Sequence, residues 1–205
     1  AMKELGLEDQ KSKAGLYVSL ISRAKDDLLD AGSYEIHALT SIDQSRQTAA
    51  KIYKVYQRKL EQAGALDFGD LLMRVCQLLR DHPKVREQWQ EHFTHLLVDE
   101  YQDTNHAQYI LTKTLAAKHK NVCVVGDDDQ SIYSWRGANI RNILEFERDF
   151  PNTKVVTLER NYRSTGRILD AAGLVIHHNK TRKPKKLWTE AAPGEALAIP
   201  LRLFN

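Results

Sequence analysis

Three short stretches concentrate residue types that could do chemistry. The first is Leu96-Leu97-Val98-Asp99-Glu100-Tyr101-Gln102-Asp103, an apolar run that delivers two adjacent carboxylates. Asp then Glu at the end of a strand suits a nucleotide-hydrolysing site. Asp99 would hold the water shell of Mg²⁺, and Glu100 would orient and deprotonate an attacking water. One carboxylate does both jobs poorly, because a bound metal lowers its basicity. A bare Val-Asp-Glu more often marks a strand end with solvated acids; Tyr101-Gln102-Asp103 is what turns the reading toward chemistry.

The second stretch runs from Val124 through Gly126-Asp127-Asp128-Asp129-Gln130 to Tyr133-Ser134-Trp135-Arg136-Gly137-Ala138. Three successive aspartates repel one another, so a compensating cation or hydrogen-bond network is expected beside them. Gln130 can donate to a terminal phosphate while accepting from water. Tyr133, Trp135 and Arg136 set two aromatics beside a cation, the combination that stacks on single-stranded bases and grips phosphate. No helical apolar face surrounds the two rings, although lone aromatics are more often packing residues. The third stretch is Leu158-Glu159-Arg160-Asn161-Tyr162-Arg163-Ser164-Thr165. It precedes a helix whose N-terminus favours anions, which places Arg163 to pair with a phosphate. A surface arginine beside an N-cap serine would look the same.

These stretches need a scaffold, and the pattern around them supplies one. The first ninety or so residues read as helices. Tyr17, Leu20, Ile21, Ala24 and Leu28 form one stripe, broken at Gly32-Ser33. Ala49, Ile52, Tyr53, Tyr56, Leu60 and Ala63 form a second, ending at Gly64. Leu71, Leu72, Val75, Cys76 and Leu79 make a third, and Pro83 opens a fourth through Val85, Trp89 and Phe93. Short β-branched runs then follow at residues 95–98, 121–125 and 154–158, separated by helical patterns. This predicts buried parallel strands, with ligands gathering at their carboxyl ends. Ser164 is expected to cap a helix through Ile168, Leu169, Ala172 and Val175.

At 205 residues, 42% hydrophobic and 28% charged, the chain has the composition of a globular protein with a real core. A net charge of +3 is compatible with a polyanionic partner without demanding one. Cys76 and Cys123 lie far apart in apolar runs and read as buried, reduced thiols. With no long apolar span and no apolar signal core, the expectation is no membrane association and a cytoplasmic compartment. The basic run Lys180, Arg182, Lys183, Lys185 and Lys186 reads as a solvated face or as a weak, salt-dependent grip on single strands.

Together the three stretches resemble the UvrD/PcrA/Rep family of superfamily 1 helicases over about residues 66–190. Asp99-Glu100-Tyr101-Gln102-Asp103 looks like its motif II, Gly126 to Ala138 like motif III, and Leu158 to Thr165 like motif IV. The Ser-Trp-Arg-Gly-Ala wording leans toward Rep-like members. The resemblance implies an α/β fold, a P-loop NTPase (RecA-like) partial parallel sheet preceded by an all-helical insertion subdomain. It divides the chain into a helical 1B-like insertion at 1–93, the C-terminal half of domain 1A at 94–157 and the start of domain 2A at 158–205. It implies ATP and Mg²⁺ as cofactors, with Asp99 as the metal ligand and Glu100 as the base. Gln130 would couple the γ-phosphate to DNA, Tyr162 would stack on adenine, and Arg163 would be an arginine finger. Tyr133, Trp135 and Arg136 would contact DNA. Single-stranded and duplex DNA are the implied partners of an ATP-driven 3′→5′ translocase. Leu66-Asp67-Phe68-Gly69-Asp70 resembles a family segment that usually reads Asp-Phe-Asp-Asp, so Gly69 departs from the pattern.

No Gly-Lys dipeptide occurs in the chain, so the phosphate-cradling GxxxxGK[ST] loop is absent. The expectation is a piece of a longer enzyme, with Ala1-Met2 a cloning remnant, that does not turn over ATP alone. An incomplete sheet would also expose apolar edges and favour self-association. An interaction module without ATPase function is the alternative; a metal nuclease built on the aspartates is weaker still.

Overall fold

The computed structural model describes residues 1–180 and 182–198, with Arg136 described by its backbone alone. The chain forms two compact units. The first comprises Ala1–Asp127 with Ser131–Ile143, and the second comprises Asp128–Gln130 with Leu144–Asn205. The helices are α1 (Ala14–Asp26), α2 (Ala31–Leu39), α3 (Gln44–Gln62), α4 (Phe68–Asp81), α5 (Pro83–His92), α6 (His106–Ala116), α7 (Arg141–Leu144), α8 (Phe146–Asp149) and α9 (Gly166–Ile176). Two strands, β1 (Leu96–Val98) and β2 (Val122–Val124), flank α6. No helix among the described residues is long and apolar enough to cross a membrane.

The apolar stripes of α1, α2 and α3 meet in one core of Tyr17, Ile21, Ala24, Tyr34, Ala38, Ala49, Ala50, Ile52 and Tyr53. Small residues at 24, 38, 49 and 50 let the helices approach closely around the three tyrosine rings. The expected break at Gly32-Ser33 falls elsewhere. α1 ends at Asp26, Leu28 turns through a left-handed φ of 59°, and Asp30 caps α2 by accepting from the Ser33 N–H at 2.8 Å. Gly32 and Ser33 therefore sit inside the first turn of a helix. A good cap outweighs their weak helix propensity.

A buried charge cluster joins α1 to the start of α4. Asp67 and Asp70 form a reciprocal capping box: the Asp70 N–H donates to Asp67 Oδ1 at 2.9 Å, and the Asp67 N–H donates to Asp70 Oδ2 at 3.3 Å. Lys25, fully buried, places its Nζ 2.7 Å from Asp67 Oδ2 and 2.9 Å from Asp70 Oδ1. Tyr56 donates to Asp67 at 2.9 Å and Gln57 to Asp70 at 3.2 Å. Burial pushes the Asp67 carboxyl up. The Lys25 ammonium, the Asp70 N–H and the Tyr56 hydroxyl outweigh that and hold it below the ordinary aspartate range. Gly69 lies against this lysine: a Cβ there would come within 2.9 Å of both Lys25 Cβ and Cδ. Glycine fits here because the Lys25 stem occupies the space a side chain would take.

The two strands pair in parallel, Leu96 with Val122, Leu97 with Cys123 and Val98 with Val124. The Val125 N–H extends the ladder by donating to Val98 O at 2.8 Å. The sheet departs from expectation in two ways. Among the described residues, 154–158 take part in no strand, and Val155, Val156 and Leu158 are exposed. An apolar β-branched run needs an adjacent strand to become a ladder, and the described residues of that unit offer it none. The strands are also not buried on both faces: Leu97 is 80% exposed and Cys123 is exposed beside it. Of the two expected buried thiols, only Cys76 is buried. Strand alternation sends Cys123 to the open face. The expected Ser164 cap also moves by one residue, since Thr165 is the N-cap of α9.

Lys25→Met should lower the unfolding free energy by about 3–5 kcal/mol, because it leaves the buried Asp70 carboxylate, and the partly buried Asp67 beside it, without their cation. Gly69→Ala should cost about 1–3 kcal/mol by forcing the lysine stem aside. Urea midpoints measure both; unchanged midpoints would contradict the cluster's structural role.

Candidate functional site

β1 ends at Val98, and the two carboxylates come next, both exposed. Glu100 adopts a left-handed conformation, φ 50° and ψ 42°, with its N–H donating to Asp99 Oδ1 at 2.9 Å. A non-glycine residue in this region is strained, and such strain persists where surrounding contacts over-determine it. Here the contacts come from the one-turn helix Tyr101–Asp103. Tyr101 is fully buried, and its N–H donates to Val125 O at 2.9 Å. Gln102, only 1% exposed, donates from Nε2 to Glu100 Oε2 at 2.8 Å and accepts the Asp127 N–H on Oε1 at 2.9 Å. One amide thus ties the Glu100 carboxylate to the chain leaving β2.

Gly126 makes room for that amide. A Cβ at 126 would lie 2.5 Å from Gln102 Oε1 and 2.8 Å from Ile143 Cδ1. In the sequence, Gln102 only strengthens the first stretch and carries no role of its own. Its one visible signal was a glutamine two residues past the Asp-Glu pair.

The turn bearing the aromatics hangs on the same unit. Tyr133 and Trp135 have ring centroids 6.3 Å apart at 48°, and Trp135 is 68% exposed. Gly137 ends this turn with φ 87°. A Cβ on Gly137 would meet Asp26 Oδ2 at 3.0 Å. Asp26 also accepts from Asn105 Nδ2 at 2.8 Å, and Asn105 caps α6 with Gln108 in a capping box. Asn142 closes the region by donating to Thr104 O at 3.0 Å. The end of α1 therefore touches both the aromatic turn and the helix that follows the carboxylates. The side chain of Arg136 lies outside the described residues.

In the second unit, Gln130 is exposed and ends a short turn from Asp128. Arg182 Nη2 lies 2.8 Å from Asp129 Oδ2, and Lys185 Nζ lies 3.2 Å from both Asp128 and Asp129. The Lys183 N–H donates to Asp128 at 2.6 Å, and its ammonium pairs with Glu147. The compensating cations expected beside the aspartates are therefore Arg182 and Lys185. The same contacts correct the reading of the basic run: Arg182, Lys183 and Lys185 are engaged internally, leaving Lys180 and Lys186 exposed. Like charges in sequence found opposite charges in space. Tyr162 is 81% exposed and Arg163 is exposed beside it. Asn161 Oδ1 shapes this turn by accepting the Arg163 N–H at 2.9 Å and the Ser164 N–H at 2.8 Å. Asp99, Glu100, Tyr133 and Trp135 thus belong to the first unit, and Gln130, Tyr162 and Arg163 to the second.

A helix-rich unit with a parallel strand pair that ends in Asp-Glu fits the N-terminal part of a helicase. Residues 2–151 match the family model of the UvrD/REP helicase N-terminal domain, and the chain belongs to that family. Among its relatives is a protein named ATP-dependent DNA helicase PcrA from Leuconostoc citreum. That protein is 46% identical over 196 residues, which is 96% of this chain and 26% of the relative. Proteins of the same name from Staphylococcus aureus (strain Mu50 / ATCC 700699) and Staphylococcus epidermidis match with the same identity and coverage. The chain spans about a quarter of the length of these relatives.

Burial first, and the neighbouring Asp27 charge second, push the Asp26 carboxyl up to about 6. A carboxyl raised on folding stabilises fully below its unfolded value, about 3.9, and that contribution is lost as pH rises through about 6. Asp26→Asn keeps the acceptor for Asn105 and removes the charge. Relative to the parent chain, it should gain about 1–2 kcal/mol between pH 5 and pH 7.5, after allowance for solvent screening. Denaturation at the two pH values checks this; a constant difference would sink it. Gly126→Ala should cost about 1–3 kcal/mol by displacing the Gln102 amide, again read from denaturant midpoints.

Proposed function

We propose that this chain is part of an ATP-dependent DNA helicase and translocase, and that its first unit belongs to a P-loop NTPase (RecA-like) fold. The observation that carries this is Glu100: a strained residue of a helicase-family chain, at the end of a parallel strand, its carboxylate oriented by a buried glutamine. The donor set suits a hard divalent cation. Asp99 spends one oxygen on the Glu100 N–H, Glu100 spends one on Gln102, and both carboxylates are exposed. Mg²⁺ bound with ATP would supply charge neutralisation at the phosphates.

In this reading Asp99 holds the metal's water shell and Glu100 accepts the proton of the attacking water. Gln102 holds the Glu100 carboxylate in one orientation by donating to one of its oxygens, which leaves the other to face the attacking water. Gln130 and Arg163 contact the terminal phosphate, and Tyr162 offers its exposed ring to the base. Trp135 and Tyr133, with Arg136, stack on single-stranded DNA ahead of the duplex. The aromatic turn rests on Asp26, and Asp26 also holds the cap of the helix that follows the carboxylates. That shared footing is a physical route by which nucleotide state and DNA contact could be coupled.

In the intact helicase carrying this segment, Glu100→Gln should keep ATP binding within about twofold while lowering turnover by about 100-fold or more. Turnover near that of the parent enzyme would remove Glu100 from the role of base.

A further inference from the structure

Tyr162 is an exposed aromatic on a turn, and the second unit contains an arrangement that restrains it. The Trp188 N–H donates to Glu159 O at 2.9 Å, and the Asn161 N–H donates to Trp188 O at 2.7 Å. Arg160 and Trp188 therefore sit side by side as an isolated parallel bridge. From that position the Arg160 guanidinium carbon lies 4.8 Å from the Tyr162 ring centroid and 5.4 Å from the Trp188 ring centroid. Glu190, two residues beyond Trp188, pairs with the same guanidinium. One planar cation is thus held by a carboxylate and laid on two rings, and the Tyr162 ring still offers most of its surface to solvent.

An exposed tyrosine that must stack on a ligand loses rotamer freedom when it binds, and that loss weakens the complex. A guanidinium already on the ring restricts the tyrosine beforehand. Arginine suits this better than lysine, because its delocalised plane stacks on aromatic faces and is weakly hydrated. Arg163, exposed one residue further on, offers a cation for phosphate beside the same ring. A ring and a phosphate-seeking cation at this separation in sequence suit one nucleotide better than a run of stacked bases.

We propose that Arg160, fixed by Trp188 and Glu190, is a positioning residue that holds the Tyr162 ring as a preformed stacking platform for the base of a nucleoside triphosphate. This rests on the reading of Tyr162 as the base-contacting residue. The test uses the intact helicase carrying this segment, with binding of MgATP and of magnesium tripolyphosphate measured by competition against a fluorescent nucleotide. Tripolyphosphate has the phosphates without the base. Arg160→Ala should weaken ATP binding about threefold to tenfold and leave tripolyphosphate binding unchanged. Arg160→Gln, which keeps a donor for Glu190 but lacks the planar cation, should behave alike and covers the case in which the alanine variant unfolds.

Equal weakening of both ligands would reduce Arg160 to a structural residue and overturn the proposal. So would loss of single-stranded oligonucleotide binding with ATP binding intact. If Tyr162→Ala weakens ATP binding and the Arg160 variants do not, the proposal fails while the reading of Tyr162 stands. If Tyr162→Ala also leaves ATP binding unchanged, the underlying reading fails.

Discussion

Two strands of three residues each cannot hold their carboxyl ends in place by ladder hydrogen bonds alone, and the Gln102 amide supplies the missing constraint. Its oxygen takes the Asp127 N–H beyond β2, and its nitrogen holds the Glu100 carboxylate beyond β1. A primary amide is suited to this, being donor at one end and acceptor at the other. Burial raises the cost of leaving either end unmet, so the amide has essentially one place to be. The left-handed turn at Glu100 and the bare Cα of Gly126 both follow from that requirement: one brings the carboxylate to the amide, the other clears space for it.

The helical part of the first unit is organised around a different constraint, the burial of an ammonium group. Lys25 is neutralised by two carboxylates that are also the capping box of α4. Helix initiation and charge neutralisation are therefore the same set of atoms. A buried pair of this kind adds little net stability compared with apolar packing, but breaking it is costly, so it specifies how α1 meets α4. Gly69 is the steric counterpart of that specificity. The next residue along α1, Asp26, extends the contact to the aromatic turn and the α6 cap. Adjacent positions of one helix thus reach both the helical core and the candidate site.

Local signals were read well where the physics is local. The stripes at 17–28, 49–63 and 71–79 and the proline at 83 each led to a helix, because an apolar face repeating every three to four residues has one way to be buried. The parallel pairing of residues 96–98 with 122–124 was foreseen for a similar reason: short β-branched runs separated by a helical pattern leave room for a crossover. Residues 154–158 carry the same local signal yet pair with no strand among the described residues, since a ladder depends on a partner that composition does not supply. α2 was missed because Asp30, not the apolar pattern, starts it. The basic run misled for the opposite reason. Arg182, Lys183 and Lys185 pair with Asp129, Glu147 and Asp128, more than thirty residues away in sequence, while Lys180 and Lys186 stay exposed.

By itself, the sequence determined the apolar stripes that become α1, α3, α4 and α5, the strand pair with Asp99 and Glu100 at its end, and the family to which these residues belong. Those features rest on neighbours a few positions apart, whose spacing is written directly in the chain. Only the tertiary structure decided that Gln102 orients Glu100, that Lys25 excludes a side chain at Gly69, that Asp26 underlies the aromatic turn, and that Arg160 lies on the ring of Tyr162. Each of these depends on atoms brought within a few ångströms by folding. Hydrogen bonds, ion pairs and cation–π contacts act at that range whatever the separation along the chain.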